Sequence, residues 1–574
     1  MQIRQVNILV TLVALACAVQ AGEAVTELKA FYREGQTFIT WKELAEAKSE
    51  KYRVYRAEAK IGKDTLGKAE LVATLPENSG AHTEEVRIKV LEKSSKLPGY
   101  GQRFMIQDNP KNDPQAQLAE GLGLFVHTIQ KDGTAFYAVV PEIDGKEQPD
   151  GMAALAEGIA EKVATPGAVL VWKNEAGTGA VYTHWMDHAK WKPASEGYAY
   201  NFSVATPAGY DGAKPLPVMF YGHGMGESYN VMDKANYWPS LWVKPSDKSG
   251  TWFFGMLTQD QSRVENFTEQ RLRWMTEWVK AERPNQFWKA DPKRYQAHGH
   301  SMGGTMCTAL GLRMGDVFCT IVSSCGASIH SRNKPWVAQA SKLWGPVEKN
   351  TPTAGSAGVW DHQDYAKWSL ANIEKETAYL LFGWGKGDGS VIFEPVPDFL
   401  DALQKSKRPF MAKWDGGGHS PHFTASRNDG MGSYKIPFDE SLLAFANASN
   451  NDDPRAAPTG QVNGKLEWCA PGNDFDKTTK DDDLVDSEAQ YAVNIRSLSG
   501  PATADVTPRR LQMFKPVAGQ SYAWKNLDCT DIKAAKPAGE GVVQADKHGL
   551  ITVEKFQIGK EGSGNRLVIE AAKK

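Results

Sequence analysis

Hydrophobic residues recur with different spacing in successive parts of this 574-residue chain. From about residue 24 to residue 150 they form short runs rich in aromatic and β-branched residues, separated by Gly, Pro, Asn and Asp. Runs of this kind, bounded by turn-forming residues, are typical of strands. We therefore predict a small all-β sandwich over 24–150. Its clearest strands are TFITW at Thr37–Trp41, YRVY at Tyr52–Tyr55 and FYAVV at Phe136–Val140.

From about 167 to 446 the pattern changes to buried strands that alternate with helices. In the segment Thr268–Ala281, apolar residues recur at helical spacing, which predicts a helix. Alternation of this kind is typical of a mostly parallel sheet flanked by helices, an α/β fold. The strands predicted in this region are PVMFY at Pro217–Tyr221, VFCTIVS at Val317–Ser323 and YLLFGW at Tyr379–Trp384.

A polar, Pro-containing segment, Asn447–Gly460, separates this region from a third one. Its composition is typical of a linker. Beyond it short strand-like runs return, and we predict a second all-β module over 460–574. These runs are Tyr491–Arg496, Arg510–Phe514, Gln520–Trp524 and Asn565–Glu570.

Residues 1–21 have the parts of a secretory signal peptide. Arg4 precedes an apolar run from Ile8 to Ala18, and the small residues Val19 and Ala21 frame a cleavage point before Gly22. We predict export to the periplasm or the medium. Acylation of Cys17, which would make the chain a lipoprotein, is the alternative, and Ala14 stands where lipoproteins usually carry a larger aliphatic residue.

The formal net charge of −2 excludes some classes of partner. Nucleic-acid binding rests on neutralising phosphates, and the chain has no basic block for that purpose, so we expect no nucleic-acid partner. No apolar stretch of about 18 residues follows the signal peptide, so we expect no transmembrane segment.

Export would place the remaining cysteines in an oxidising compartment. Cys469 and Cys529 are the two cysteines of the C-terminal region and lie in strand-like runs, so we predict a disulfide between them. The pairing of Cys307, Cys319 and Cys325 stays open. No cluster of His and Cys has the spacing of zinc ligands, and we expect neither a metal nor a cofactor.

The segment Gly299-His300-Ser301-Met302-Gly303 fits the pattern G-x-S-x-G. A strand-like approach precedes it and a helix-like segment follows, so its glycines permit a sharp turn that raises the serine hydroxyl above the sheet. Ser301 is therefore the candidate nucleophile.

A serine hydroxyl needs a base, and the base needs a carboxylate to fix its tautomer. His419 follows three glycines in KWDGGGH, which let a loop present the imidazole; His422 and His330 are the alternatives. Asp388 follows the strand ending at Trp384, where a sheet delivers side chains to its carboxyl edge. Its alternatives are Asp361, Asp364 and Asp415.

The glycine-rich turn YGHGMG directly follows the predicted strand Pro217–Tyr221. A tetrahedral intermediate carries an oxyanion, which needs preorganised donors. The backbone N–H groups of Met225 and Met302 are the pair we expect to serve.

Together, PVMFYGHGMGES, DPKRYQAHGHSMGG, GWGKGDGSV and GGGHS resemble the α/β-hydrolase superfamily, in particular its secreted feruloyl and acetyl esterases and polyhydroxyalkanoate-depolymerase-like proteins. The resemblance implies an α/β-hydrolase fold between the two all-β regions and a Ser301, Asp388, His419 triad. The long segment 330–378 between nucleophile and acid departs from compact members and is a candidate cap. The N-terminal region, with Trp41, YRVYRA and Tyr137, loosely resembles a fibronectin type III domain.

Fifteen of the eighteen tryptophans lie between Trp172 and Trp414. Flat aromatic faces suit sugar rings and aromatic acyl groups, while core packing accounts for at least half of such residues. The tryptophans that we expect to bind substrate are Trp238, Trp336, Trp344 and Trp360.

Export, accessory β modules and an aromatic site indicate a serine esterase acting on feruloyl or acetyl groups of plant cell wall polysaccharide, which the β modules hold. A polyester depolymerase is the first alternative. A serine peptidase and a catalytically inactive glycan-binding protein are further ones.

Overall fold

The structure is a computed structural model, and it describes residues 24–45, 49–81, 103–106, 117–187, 199–227, 229, 234–235, 239–247, 249–283, 286–355, 357–420, 436–470, 473, 475 and 484–571. The signal-peptide prediction for 1–21, including Cys17, therefore lies outside the described residues, as do Trp238 and His422. The chain divides into two compact units. One comprises 1–81 and 118–165, and the other comprises 82–117 and 166–574.

The first unit consists of two antiparallel sheets that share one core. Trp41 and Ile39 from one sheet and Tyr52 and Tyr137 from the other are fully buried in that core. The alternation read from the sequence thus puts the large residues on the inner faces. One sheet has the order β1-β2-β5, and in the other β4-β3-β6-β7 is joined by β8 and β9 along β6. The strands are β1 (Thr26–Arg33), β2 (Gln36–Lys42), β3 (Lys51–Ala57), β4 (Glu70–Pro76), β5 (Leu122–Thr128), β6 (Gly133–Ile143), β7 (Lys146–Glu147), β8 (Ala153–Ala154) and β9 (Ile159–Glu161).

The second unit is built on a ten-stranded sheet with helices between its strands. The elements of its catalytic region are β10 (Val169–Lys173), β11 (Gly179–Trp185), β12 (Ala199–Ala205), β13 (Leu216–Gly222), β14 (Leu241–Pro245), β15 (Met256–Leu257), β16 (Val264–Glu265), α1 (Phe267–Lys280), β17 (Ala290–His300), α2 (Met302–Arg313), β18 (Phe318–Ser324), α3 (Lys334–Trp344), α4 (Val359–His362), α5 (Tyr365–Ala371), β19 (Tyr379–Gly385), α6 (Val396–Lys405) and β20 (Phe410–Asp415).

The strand order of this sheet places the functional loops together. It runs β10-β11-β12-β14-β13-β17-β18-β19-β20 and ends on a short strand from the C-terminal region. From β14 through β13 to β20 neighbouring strands are parallel, so their carboxyl ends share one edge. With helices between these strands, this is the α/β-hydrolase fold, and the predicted fold class is confirmed.

The C-terminal region is all β and packs against the catalytic region. Its core continues from the outer part of the large sheet, where Tyr379 and Met411 lie, to Trp468 and Ile569. The elements are β21 (Leu442–Ala446), β22 (Gly460–Val462), β23 (Leu466–Trp468), β24 (Val485–Asp486), β25 (Gln490–Ser497), β26 (Ala502–Arg509), β27 (Ser521–Asp528), β28 (Lys536–Gln544), β29 (Val553–Ile558) and β30 (Asn565–Ala571).

Two strands cross the boundary that the sequence places at 447–460. β21 pairs with β26 of the C-terminal region, whereas β22 pairs with β20 at the edge of the large sheet. This exchange ties the catalytic and C-terminal regions together by backbone hydrogen bonds. In the described part of the chain, no helix is long and apolar enough to cross a membrane.

The predicted disulfide between Cys469 and Cys529 is wrong, because both residues are buried and neither is disulfide-bonded. Cys469 follows β23 and Cys529 follows β27, and the sheet order β23-β25-β30-β27 puts two strands between them. Three strand spacings amount to about 14 Å, whereas bridged cysteines have Cα atoms less than about 7 Å apart. Strand-like context alone did not reveal that β25 and β30 intervene.

Candidate active site

Ser301 lies at a strained turn between β17 and α2. Its backbone has φ 59° and ψ −121°, a left-handed conformation that is costly for a residue with a side chain. The N–H of Ser301 donates to the carbonyl of Ser324 at 2.8 Å, and its carbonyl accepts from Thr305 at 3.0 Å. These bonds hold the strained turn, so the hydroxyl stands at the start of the helix.

The glycines of G-x-S-x-G are required by close backbone contacts. A Cβ on Gly303 would lie 2.1 Å from the carbonyl oxygen of Gly222 at the end of β13. A Cβ on Gly299 would lie 2.4 Å from the carbonyl carbon of Gly303. The turn at Ser301 therefore packs directly against β13, the strand that leads into the candidate oxyanion loop.

Asp388 and His419 lie together, as the sequence analysis expected. His419 Nδ1 lies 2.7 Å from Asp388 Oδ2. The other carboxylate oxygen of Asp388, Oδ1, accepts from the N–H groups of Ser390 at 2.7 Å and Val391 at 2.9 Å. Burial alone would raise the pKa of Asp388, but the hydrogen bonds from His419 and these two N–H groups outweigh it and lower the pKa. The carboxylate is therefore charged at neutral pH and fixed in orientation.

His419 contacts His300, the residue that precedes Ser301. The two imidazole rings have centroids 4.7 Å apart. Among the described side chains, Ser301 Oγ makes no hydrogen bond with His419. Catalytic hydrogen bonds are often long without substrate and tighten when it binds. Burial, with a smaller effect from His419, lowers the pKa of His300 and keeps that ring neutral.

The loop after β13 follows Gly222, which packs against Gly303 of the turn at Ser301, and Met225 lies three residues beyond Gly222. Glu227 Oε2 accepts from the N–H of Gly224 at 2.9 Å, and the N–H of Glu227 donates to the carbonyl of Gly224 at 3.2 Å. Within the described residues the N–H of Met225 has no acceptor. Met302 begins α2, so no intrahelical carbonyl accepts its N–H. Both donors are therefore available to an oxyanion.

The segment 330–378 flanks the site with helix α3. Trp336 Nε1 donates to Ser390 Oγ at 3.2 Å, in the turn that holds Asp388. Gln339 accepts from Trp252 Nε1 at 2.9 Å and donates to the carbonyl of Gly250 at 3.1 Å. Gly250 in turn lies against Met225, since a Cβ on it would be 2.7 Å from Met225 Sδ. Helix α3 thus contacts the turn that holds Asp388 and, through Gly250, the loop after β13.

Two of the tryptophans expected to bind substrate belong to the core instead. Trp344 is 0% exposed and Trp360 is 3% exposed. Their indole N–H groups donate to the carbonyls of Gly255 and Gly345. Their role is to pack segment 330–378 onto the catalytic region. Trp336 is half-buried and remains the described candidate for contact with substrate.

The alternative residues for the triad occupy other places. His330 is buried between Trp252 and Trp344. Asp361 pairs with Lys367, and Asp364 caps α5 through the N–H of Lys367. The remaining alternative carboxylate, Asp415, accepts from the N–H of Gly417 in the loop that leads to His419.

Neither Cys325 nor Glu227 stands in a sequence motif that marks it as a site residue. Cys325 follows β18, the strand next to β17, and has φ 49°. Atoms of Cys325, Asp388 and His419 lie within 4.8 Å of one another. Burial raises the pKa of the Cys325 thiol to about 12, so the thiol is neutral. The sequence signal for Cys325 was its position directly after a buried strand of the same sheet. Residues that follow parallel strands lie at the same edge of the sheet, so Cys325 could have been expected near Asp388 and His419.

A large cavity of about 700 Å³ lies elsewhere, between the end of α2 and the C-terminal region. Arg313, Asp316 and Arg510 are among its lining residues, and none of the triad candidates lines it. Its volume therefore gives no measure of the substrate pocket.

Comparison with protein-family models supports the fold. Residues 264–446 match the model of the prolyl oligopeptidase family (Peptidase_S9). No curated protein sequence matches the chain. Similar solved structures include an S-formylglutathione hydrolase from Agrobacterium tumefaciens, with 18% identity over 45% of this chain and 95% of that one and a TM-score of 0.34.

Two further similar structures differ in class. A ferulic acid esterase has 16% identity over 42% of this chain and 92% of that one, with a TM-score of 0.29. An acylaminoacyl peptidase has 12% identity over 72% of this chain and 54% of that one, with a TM-score of 0.31. The family match over residues 264–446 and the strand order together support a serine hydrolase of the α/β-hydrolase fold.

Proposed function

We propose that this serine hydrolase cleaves carboxylic esters with Ser301 as nucleophile, His419 as general base and Asp388 as the residue that orients it. The observation that carries the proposal is the 2.7 Å contact between His419 Nδ1 and Asp388, beside the strained turn of Ser301. With Nδ1 donating to the carboxylate, the free Nε2 of His419 is the proton acceptor.

The reaction follows from these positions. Ser301 Oγ attacks the acyl carbon while His419 takes its proton, and the N–H groups of Met225 and Met302 donate to the resulting oxyanion. Protonated His419 then gives its proton to the leaving alcohol, which leaves the acyl group on Ser301. A water molecule then attacks the acyl carbon while His419 takes one of its protons. The bond between the acyl carbon and Oγ breaks, His419 returns the proton to Oγ, and the acid leaves.

Trp336 supports an aromatic or sugar-linked acyl substrate. Its indole is fixed by Ser390 and stands edge-on to Trp252, with ring centroids 5.7 Å apart. A half-buried indole held in this way offers a flat apolar face next to the acid turn. We propose feruloyl or acetyl groups of plant cell wall polysaccharide as substrates, met outside the cytoplasm and held by the β modules.

Peptide hydrolysis is the second candidate, favoured by the match of residues 264–446 to a peptidase family. The same triad would serve an amide, with His419 protonating the leaving amine. Because the two candidate reactions differ in the leaving group, an assay with both ester and peptide substrates distinguishes them.

A substrate panel on the purified chain without its leader tests the proposal. It comprises methyl ferulate, acetylated xylan, p-nitrophenyl esters of increasing acyl length, a polyester film and a chromogenic peptide. We expect turnover of the first two and none by Ser301→Ala. Peptide cleavage without ester turnover would establish the second candidate, and film clearing alone would establish a polyester depolymerase.

Trp336→Ala tests the aromatic subsite in the same panel. An aromatic contact contributes about 0.5–1.5 kcal/mol, so KM for methyl ferulate should rise about two- to tenfold. KM for p-nitrophenyl acetate, which has no aromatic acyl group, is the internal control and should change less. Equal changes for both esters would show that Trp336 has only a structural role.

A further inference from the structure

Cys325 lies beside Asp388 and His419, so the three side chains together offer a sulfur, an oxygen and a nitrogen atom as potential metal ligands. Cys325 and Asp388 are both buried, and His419 is half-buried beside them. One potential ligand atom from each lies within 4.8 Å of the other two. Thiolate, carboxylate and imidazole are all ligands of Zn²⁺, and three protein ligands with one open position are common around this ion.

We propose that Cys325, Asp388 and His419 form a site for a thiophilic divalent cation such as Zn²⁺, and that its occupation reversibly inhibits the enzyme. The inhibition rests on the proposed function, whereas the binding does not.

Two of the three ligands are already held in place. The N–H of Cys325 donates to the carbonyl of Gly383 at 2.7 Å, and two backbone N–H groups fix Asp388. His419 follows Gly416, Gly417 and Gly418, so its loop has the conformational freedom to adjust. Zn–S and Zn–N bonds of about 2.3 and 2.0 Å put tetrahedral ligand atoms about 3.2–3.8 Å apart, and an adjustment of about 1 Å achieves this.

Binding is a proton exchange without any redox change. The thiol of Cys325 loses its proton to the buffer as the metal–sulfur bond forms. The proton on Nδ1 of His419 moves to Nε2 as Nδ1 coordinates the metal, and Asp388 exchanges that hydrogen bond for a metal bond. Because Nε2 is then protonated, His419 has no lone pair for the proton of Ser301, and turnover stops.

Ester turnover in the presence of added Zn²⁺ or Cd²⁺ tests the inhibition. We expect both ions to inhibit, EDTA to restore the rate, and Mg²⁺ to have no effect because it prefers oxygen ligands. Loss even of an outer-shell partner weakens metal binding by about 10–100-fold, so Cys325→Ser should raise the inhibitory concentration at least that much. Cys307→Ser removes a buried thiol outside the cluster. Zn²⁺ and Cd²⁺ should therefore inhibit this variant at the same concentrations as the wild type.

Ultraviolet absorption of the Cd²⁺–thiolate bond tests binding without any turnover. We expect one equivalent of thiolate-bound Cd²⁺ in the wild type and in Ser301→Ala, and its loss in Cys325→Ser. Binding without inhibition would leave the metal site but overturn the proposed inhibition, together with the catalytic role of His419 on which it rests. Zn²⁺ inhibition that is equal in Cys325→Ser and wild type, or the absence of the thiolate band, would overturn the site.

Discussion

Replacement of Asp388 by Asn tests whether turnover depends on the orientation of His419, because the variant keeps the imidazole but changes the group that orients it. The amide keeps the shape of the carboxylate but carries only one acceptor oxygen. In the structure, Oδ1 accepts from two backbone N–H groups and Oδ2 faces His419 Nδ1. In the Asp388→Asn variant, the NH₂ group of the new amide can therefore face either His419 or the two backbone N–H groups.

The hydrogen bonds decide between these two orientations. With the amide oxygen toward Ser390 and Val391, both backbone bonds persist and the NH₂ group donates to His419 Nδ1. The reverse orientation leaves two buried N–H groups facing a donor, at about 1–3 kcal/mol each. The first orientation is favoured, and it places the proton of neutral His419 on Nε2, where it blocks the uptake of the serine proton.

We expect kcat to fall about 10⁴-fold, which corresponds to about 5.5 kcal/mol of transition-state stabilisation. The assay is p-nitrophenyl acetate hydrolysis, with the fold verified by thermal unfolding. Asp361→Asn, which removes a partly exposed carboxylate paired with Lys367, is the control and should keep wild-type turnover. A fall of less than about tenfold in Asp388→Asn would refute the assigned role of Asp388.

Three further outcomes follow from the structure. Gly303→Ala places a Cβ 2.1 Å from the carbonyl oxygen of Gly222, so it should cost about 1–3 kcal/mol of stability in denaturant unfolding and lower kcat; an unchanged midpoint would contradict this contact. Burial lowers the pKa of His330 to about 4, so the folded state binds fewer protons than the unfolded chain between pH 6.5 and 4. The full contribution of His330 is therefore present above pH 6.5, and up to about 3 kcal/mol is lost as the pH falls toward 4; the urea midpoint at pH 7 and pH 5 measures this, and equal midpoints would refute it. Because neither Cys469 nor Cys529 is disulfide-bonded, thiol titration in guanidinium without reductant of a chain that begins at Gly22 should count five thiols, whereas a count of three would restore the disulfide.

The sequence predicted the catalytic region well because its elements are locally encoded. The helix expected over Thr268–Ala281 runs from Phe267 to Lys280, and the strand expected over Tyr379–Trp384 ends one residue later. A buried parallel strand is a continuous apolar run, and this signal depends little on distant contacts. The loops at the carboxyl ends then follow from chain order alone, which is why Asp388 and His419 could be paired in advance.

Features that depend on contacts between distant strands could not be predicted in this way. The exchange of β21 and β22 between sheets involves runs of five and three residues, too short to show which sheet they join. The tryptophans posed the same problem, because a buried Trp344 and a half-buried Trp336 have similar neighbours in sequence. Burial depends on which faces of α3 are covered, and that is a tertiary property.

Identification of the nucleophile is the most direct test of the account. The purified chain is treated with a fluorophosphonate, which phosphonylates an activated serine, and the adduct is located by mass spectrometry of its peptides. We predict one adduct per chain, on Ser301, with loss of ester turnover in proportion to labelling. Turnover that persists in Ser301→Ala, or an adduct on a different serine, would contradict the account.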